Sequence, residues 1–190
     1  EDLIVAGGVQ SSSTSPILSW RDPMTGEVQT PWMPPTHPDR ADAPNRDMSI
    51  TVGWNTAQIA GITREEMDAW AVRSHQRAVA AIDAGHFAEE IVPVTATAAD
   101  GSSFAFAVDE HPRRDSSLEK LATLKPLHPE IEGFSITAGN ASGVNDAASA
   151  IVVTRDEFAA ANGLRQRARI VGWTSIGADP YRTGVAVIDV

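Results

Sequence analysis

Seven prolines fall between Pro16 and Pro44, at positions 16, 23, 31, 34, 35, 38 and 44. Each one fixes φ and removes a backbone donor, so neither a helix interior nor a central strand can run through this stretch. Trp20, Trp32 and Met33 interrupt its polarity. A flexible linker rarely carries two tryptophans. The segment is therefore expected to be an irregular loop pinned onto a surface by aromatic anchors.

The flanking sequence is regular. Ile4-Val5-Ala6 running into Gly7-Gly8 has the pattern of a buried strand ending in a turn, and a serine-rich run at residues 11–15 follows. A chain opening on a core strand is expected to have lost what preceded it, and residues 184–190 stop inside an apolar run. After the proline-rich stretch, a short helix is expected around residues 56–60 and a long one over 63–84. Thr63 and Glu66 form a capping box there, Glu65 and Glu66 favour the positive helix end, and Gly85 stops the helix. Met67, Trp70, Ala71, Ser74, Ala78 and Ile82 recur at helical spacing and predict its apolar face.

Residues 90–97 and 103–108 predict two strands joined in a hairpin at Ala99-Asp100-Gly101. A short helix is expected near 117–122. A connection through Pro126 and Pro129 then leads to a glycine-rich run at 138–143 and, past Asn145, to a small-residue helix start. Ile151-Val152-Val153 predicts a buried strand, Thr154 and Glu157 a capped helix ending at Gly163, and residues 168–175 a further strand. There is no repeat of fixed period. The order of elements predicts a layered α/β core with an insertion between two core strands.

Charge narrows the function. Fifteen basic and 25 acidic residues give a formal net charge of -10, which argues against a general binder of nucleic-acid backbones but allows a local basic pocket for an anionic ligand. No cysteine is present, which excludes disulfides, thiolate metal sites and a cysteine nucleophile within the 190 residues. No apolar run approaches the roughly 18 residues of a membrane span.

Three motifs bear on chemistry. In Asp109-Glu110-His111-Pro112-Arg113-Arg114-Asp115 the adjacent acidic residues and histidine cannot easily converge on one metal ion. The run reads either as a solvated charge stretch or as an anion site. For the second reading, two arginines precede a helix start, and arginine suits bidentate phosphate contact. Thr137-Ala138-Gly139-Asn140-Ala141-Ser142-Gly143-Val144-Asn145-Asp146 is glycine-rich but fits neither a P-loop nor GxGxxG, and by itself reads as a tight turn. His75 flanks the apolar stripe and reads as structural or surface. Ser11-Ser12-Ser13 is not a nucleophile elbow.

Taken together, several segments resemble the thiolase family, of the bacterial acetyl-CoA acetyltransferase type. They are Ile4-Val5-Ala6-Gly7-Gly8 with Ser11 to Ser13, Thr63-Arg64-Glu65-Glu66-Met67-Asp68, Ser74-His75-Gln76-Arg77-Ala78, Glu89-Glu90-Ile91-Val92-Pro93, Asp109-Glu110-His111-Pro112-Arg113, and Thr137 through Asp146. They occur in the family's order across nearly the whole chain, and residues 137–143 are the most specific.

The resemblance implies a thiolase-like α/β fold: part of an N-terminal half with its inserted loop domain, and the start of the C-terminal half. On it, residues 1–11 are a late core strand of the first half. Residues 12–135 are the loop domain that covers the active site and holds coenzyme A, 136–162 return to the first half, and 163–190 begin the second. The implied activity is acyl transfer to or from coenzyme A through a cysteine thioester, as thiolysis of a 3-ketoacyl-CoA or as Claisen condensation. The implied nucleophilic Cys lies upstream of Glu1, and the Gly-His-Pro, Cys-x-Gly and Asn-Glu-x-Phe motifs lie beyond Val190, so the chain alone is expected to be inactive.

The coenzyme-binding residues implied by the match are Arg113 and Lys120 toward the nucleotide end, and Ala138, Ser142 and Gly143 along the pantetheine arm. No cofactor is implied, since coenzyme A is a substrate, and no metal site. The implied partners are CoA and acyl-CoA and further copies of the parent, as a dimer or tetramer in the cytoplasm, with no nucleic acid and no membrane. The sequence departs from the family pattern where residues 52–62 are short, where Gln58 replaces a common Glu, and over the distinctive stretch 20–38. This region shapes the family's acyl pocket, so acyl length stays open and a substrate bulkier than acetoacetyl-CoA is admitted. A rival reading is a non-catalytic CoA-binding or assembly module derived from a thiolase.

Overall fold

A computed structural model describes residues 2–47 and 49–188. In chain order the elements are β1 (Leu3–Gln10), β2 (Trp20–Arg21), β3 (Val28–Gln29), α1 (Ile50–Ala60), α2 (Arg64–Asp83), β4 (Val94–Thr97), β5 (Ser103–Phe106), α3 (Leu118–Ala122), β6 (Ala147–Thr154), α4 (Asp156–Ala161), a 3-10 turn (Pro180–Arg182) and α5 (Thr183–Ala186). Among the described residues the strands form three antiparallel pairs, β1 with β6, β2 with β3 and β4 with β5. The chain divides into two compact units. One is made by residues up to Val52 and from Gly143 onward, the other by Gly53–Ser142.

The first unit is built on β1 and β6, paired in register from Leu3 opposite Thr154 to Gln10 opposite Ala147. A Cβ on Gly7 would stand 2.5 Å from the Ser149 carbonyl oxygen, so the backbones meet where only glycine fits. The buried strand predicted at the chain start is a strand, but all eight of its residues are exposed. The small residues after Asn145 form the start of β6 and not a helix. Pairing with β1 overrides the helix preference of alanine at positions 147, 148 and 150. Thr154 closes that strand and donates to the Asp2 carbonyl at 2.5 Å, so it does not cap α4. Arg155 precedes α4 without a side-chain cap. Residues 168–175 form no strand, because no neighbour among the described residues offers them a ladder.

The proline-rich excursion folds on itself. The Asp22 carboxylate accepts the Met24 and Thr25 N–H groups at 2.7 and 3.1 Å and turns the chain, so that β2 and β3 pair. Trp20 and Trp32 stack with centroids 6.3 Å apart. The two tryptophans therefore anchor the loop to itself.

The second unit holds most of the apolar core: Trp54, Ala57, Val72, Leu121, Phe134 and Ile136 are all buried. Trp54 stacks on Phe134 at 5.6 Å, and His128 meets the edge of the same ring at 5.1 Å. The predicted capping box on α2 is present in both directions, Glu66 N–H to Thr63 Oγ1 at 3.2 Å and Thr63 N–H to Glu66 Oε2 at 2.9 Å. Gly85, at φ 70°, ends the helix as expected. The predicted hairpin is β4 with β5. α1 begins earlier than expected, at Ile50, because the Asp47 carboxylate accepts the N–H groups of Ile50 and Thr51 at 2.6 and 3.2 Å and caps it.

The inward face of α2 is the predicted one only in part: Met67, Ala71, Ala78 and Ile82 are half-buried, but Trp70 and Ser74 are exposed. Trp70 is 66% exposed, with the Arg73 guanidinium 4.1 Å above its ring, while Asp68 and Val72 are the buried residues. A carboxylate can take the inward position here because its charge is matched. Arg64, one turn earlier on the same helix, donates from Nε to Asp68 Oδ2 at 2.7 Å.

Candidate functional site

The turn at residues 137–140 is set by its own side chains. Thr137 is fully buried. Its N–H donates to Asn140 Oδ1 at 2.8 Å, its hydroxyl accepts the Gly139 N–H at 3.2 Å, and its carbonyl accepts the N–H groups of Asn140 and Ala141 at 3.2 and 3.0 Å. The strand-like approach is fixed by the Leu127 N–H on the Ile136 carbonyl at 2.9 Å. Gly139 lies against α3: a Cβ there would stand 2.6 Å from Leu124 Cδ1 and 2.8 Å from Leu121 Cγ. A side chain at 139 would push the turn off the helix.

The underside of the turn is tied to α2. Asn140 Nδ2 donates to Asp68 Oδ1 at 2.8 Å and to the Ser135 carbonyl at 3.3 Å. Arg64 completes the link, donating from Nη2 to the carbonyls of Leu121 and Leu124 at 2.7 and 3.3 Å. The outer residues Ala138 and Ser142 are exposed and small. Gly143, also exposed, is the first residue of the next segment.

The basic run is sorted by its partners. Arg114 makes a two-pronged contact with Asp83 at 2.7 and 2.8 Å, and this guanidinium holds the Asp83 carboxyl below the usual carboxylate range. Lys120 pairs with Asp115 at 2.7 Å and lowers that carboxyl in the same way. The exposed Arg113 guanidinium has no ion-pair partner within contact distance among the described residues. Its backbone is fixed, with the Arg113 N–H donating to His75 Nδ1 at 3.2 Å. The predicted anion site at the start of α3 is already occupied in part by Ser117, whose Oγ accepts the Lys120 N–H at 3.3 Å.

His75, read from sequence as structural or surface, is half-buried and 5.9 Å from the His111 ring. Burial first, then the charges of His111 and Arg113, lower its pKa below the ordinary 6.5. The neutral ring keeps Nδ1 as the acceptor that the Arg113 N–H requires. Asp68, Arg64 and Asn140 were not among the site residues expected from sequence. The available signal was an arginine and an aspartate four apart on a helix whose inward side was otherwise apolar.

The family model described as "Thiolase, N-terminal domain" matches residues 1–157. The chain is 40% identical over 190 residues to the beta-ketoadipyl-CoA thiolase of Acinetobacter baylyi, covering 97% of this chain and 47% of that protein. It is 38% identical over 198 residues to the acetyl-CoA acetyltransferase of Allochromatium vinosum, covering 98% and 48%. Among solved structures, the acetyl-CoA acetyltransferase of Bacillus anthracis superposes with a TM-score of 0.73 at 36% identity, over 97% of this chain and 46% of that one. The chain spans about half the length of the curated relatives it matches. Among the described residues no helix is long and apolar enough to cross a membrane.

Proposed function

The chain belongs to the thiolase family and has its α/β fold, and on that premise we propose that it is the coenzyme-holding part of an acyltransferase. The complete protein transfers an acyl group to or from coenzyme A through a cysteine thioester. Since the chain has no cysteine, the nucleophile belongs to the remainder of that protein, and the 190 residues alone are inactive. The complete protein works in the cytoplasm as a homo-oligomer, and residues 12–135 are its loop domain.

One observation carries the reading. The turn at 137–140 is bonded on its inner side to α2 and packed on α3, while Ala138 and Ser142 stay exposed and small. A thin, uncharged arm such as pantetheine lies along such a surface without displacing a side chain. Ser142 and Gly143 are the further exposed small residues that the arm would pass. The nucleotide end of the coenzyme carries phosphates, which Arg113 suits best because Arg114 and Lys120 are already paired. Lys120 would serve the phosphates only by exchanging Asp115 for one of them.

The test is a calorimetric titration of the complete protein with coenzyme A. Loss of a charge-assisted hydrogen bond is worth about 1.5–3 kcal/mol, so Arg113→Ala weakens binding by roughly 10- to 100-fold. An unchanged Kd removes Arg113 from the site. The second reading, a non-catalytic CoA-binding module, is favoured by the absence of cysteine from the chain. It predicts binding without turnover in the complete protein, whereas the acyltransferase reading predicts thiolysis of acetoacetyl-CoA by the complete protein and none by the 190 residues.

A further inference from the structure

We infer that Asp68 is a positioning residue for the coenzyme: it touches no substrate, and through Asn140 it fixes the turn that carries Ala138 and Ser142. The inference rests on the coenzyme reading of that turn and adds the device that holds it in place.

The argument is one of matching donors to acceptors. Asp68 is 4% exposed. Its Oδ2 accepts from Arg64 Nε at 2.7 Å and its Oδ1 from Asn140 Nδ2 at 2.8 Å. A carboxylate only accepts and a guanidinium only donates. The orientation of the Asn140 amide follows, with its nitrogen toward Asp68 and its oxygen toward the Thr137 N–H at 2.8 Å. Polarity therefore runs one way from the turn's backbone through Asn140 to Asp68. From the other side Arg64 delivers two kinds of bond, one to Asp68 and others to the carbonyls of Leu121 in α3 and of Leu124 just past it. One buried carboxylate thus ties together α2, the C-terminal end of α3 and the turn.

This arrangement has an isosteric way of being broken and an isosteric way of being mended. In Asp68→Asn the side chain offers one acceptor where two donors point, so an NH2 group must face either Arg64 or Asn140. Rotating the Asn140 amide only moves the conflict to the Thr137 N–H. In the exchange Asp68→Asn with Asn140→Asp, the amide oxygen now at position 68 accepts from Arg64, and the amide NH2 there donates to the carboxylate now at position 140. That carboxylate still accepts from the Thr137 N–H. These donors are matched again and the total charge is unchanged, but the Ser135 carbonyl loses its 3.3 Å bond from position 140 and meets a carboxylate oxygen there.

The experiment measures Kd for coenzyme A, KM for coenzyme A, kcat and Tm on the complete protein. Asp68→Asn is expected to raise Kd and KM on the order of 10-fold, because the binding-competent turn is less populated. The effect falls on KM and not on kcat, and the double exchange recovers most of the loss but not all, because the Ser135 carbonyl stays unmatched. A lowered Tm with unchanged Kd would make Asp68 a purely structural residue and overturn the inference. An exchange that binds no better than Asp68→Asn alone would do the same, since matching of donors would then not be what sets the turn. If Asp68→Asn does not fold, Arg64→Lys serves. It keeps a charge near Asp68 but gives up the bonds to Leu121 and Leu124, and a several-fold rise in KM is expected, with an unchanged KM overturning the inference. Ser142→Trp is the control that separates the two levels. If it weakens binding while Asp68→Asn does not, the positioning role alone fails. If neither does, the coenzyme reading of the turn fails and the positioning role fails with it.

Discussion

Eight residue pairs join β1 to β6, yet all of β1 and most of β6 remain exposed, including Val5, Val9, Ile151 and Val152. The cluster of α2, α3 and residues 134–140 is the reverse case. Its segments share few backbone bonds, but Val72, Leu121, Phe134 and Ile136 are at most 8% exposed, and Asp68, the carboxylate of an ion pair with the half-buried Arg64, is buried among them. A complete ladder is therefore not a core. A backbone hydrogen bond made at the expense of one to water contributes about 1 kcal/mol net, while burying one aliphatic side chain contributes about 1.5–3 kcal/mol. A two-stranded ribbon without a covered face is only marginally stable by itself. The second region can hold a loop in a fixed place because its polar links are shielded from water. The first has strands in register and no such shielding.

The largest effect expected from this contrast is at Leu121. Leu121→Ala should destabilise the Gly53–Ser142 unit by about 2–5 kcal/mol, read as a shift of the urea midpoint with unchanged slope. A loss below about 1 kcal/mol would place the core elsewhere. A smaller effect is expected with pH. The His75 ring is held below its ordinary 6.5 by burial, His111 and Arg113, so below 6.5 the unfolded chain takes up a proton that the folded one resists. The stability is fully present above pH 6.5 and falls as pH drops from there toward the folded pKa. His75→Gln should flatten that slope, and an unaltered slope would assign it to another group. The smallest effect is expected in the ribbon. Val152→Ala should change the stability of the 190-residue chain by no more than about 0.5 kcal/mol. A loss rivalling that at Leu121 would erase the contrast between the two regions, because it would mean that something covers the ribbon in solution. Sedimentation would show whether a second copy does so.

Much of the local structure was legible because it depends on neighbours in sequence. The capping box at Thr63 and Glu66, the stop at Gly85, the hairpin about Asp100 and the Ser117-headed α3 all involve groups a few residues apart. Errors arose where distant partners decide. Residues 147–150 have the composition of a helix, and only their pairing to residues 7–10 makes them a strand. Residues 168–175 have the composition of a strand, and with no strand partner among the described residues they form none. Trp70 looked like core, but the inward side of α2 is set by Asp68, whose burial depends on Arg64 and on Asn140, 72 positions further along the chain. The site followed the same division. The motif at 137–143 and the arginines at 113 and 114 were visible as candidates, but which arginine is already paired was not.

Residue identity alone dictated that most of residues 16–44 could be neither helix nor central strand, that no thiolate chemistry resides in these 190 residues, and that the chain carries the thiolase pattern in order. Those conclusions rest on covalent facts: a proline ring, the absence of sulfhydryl groups, and the succession of side chains. It took the fold to put a carboxylate on the inward face of α2, where it holds the turn from beneath. Burying a charge is unfavourable unless its partners are already in place. Here those partners include Asn140, far along the chain, and an Arg64 that is itself anchored on α3, groups that only folding brings within hydrogen-bonding distance.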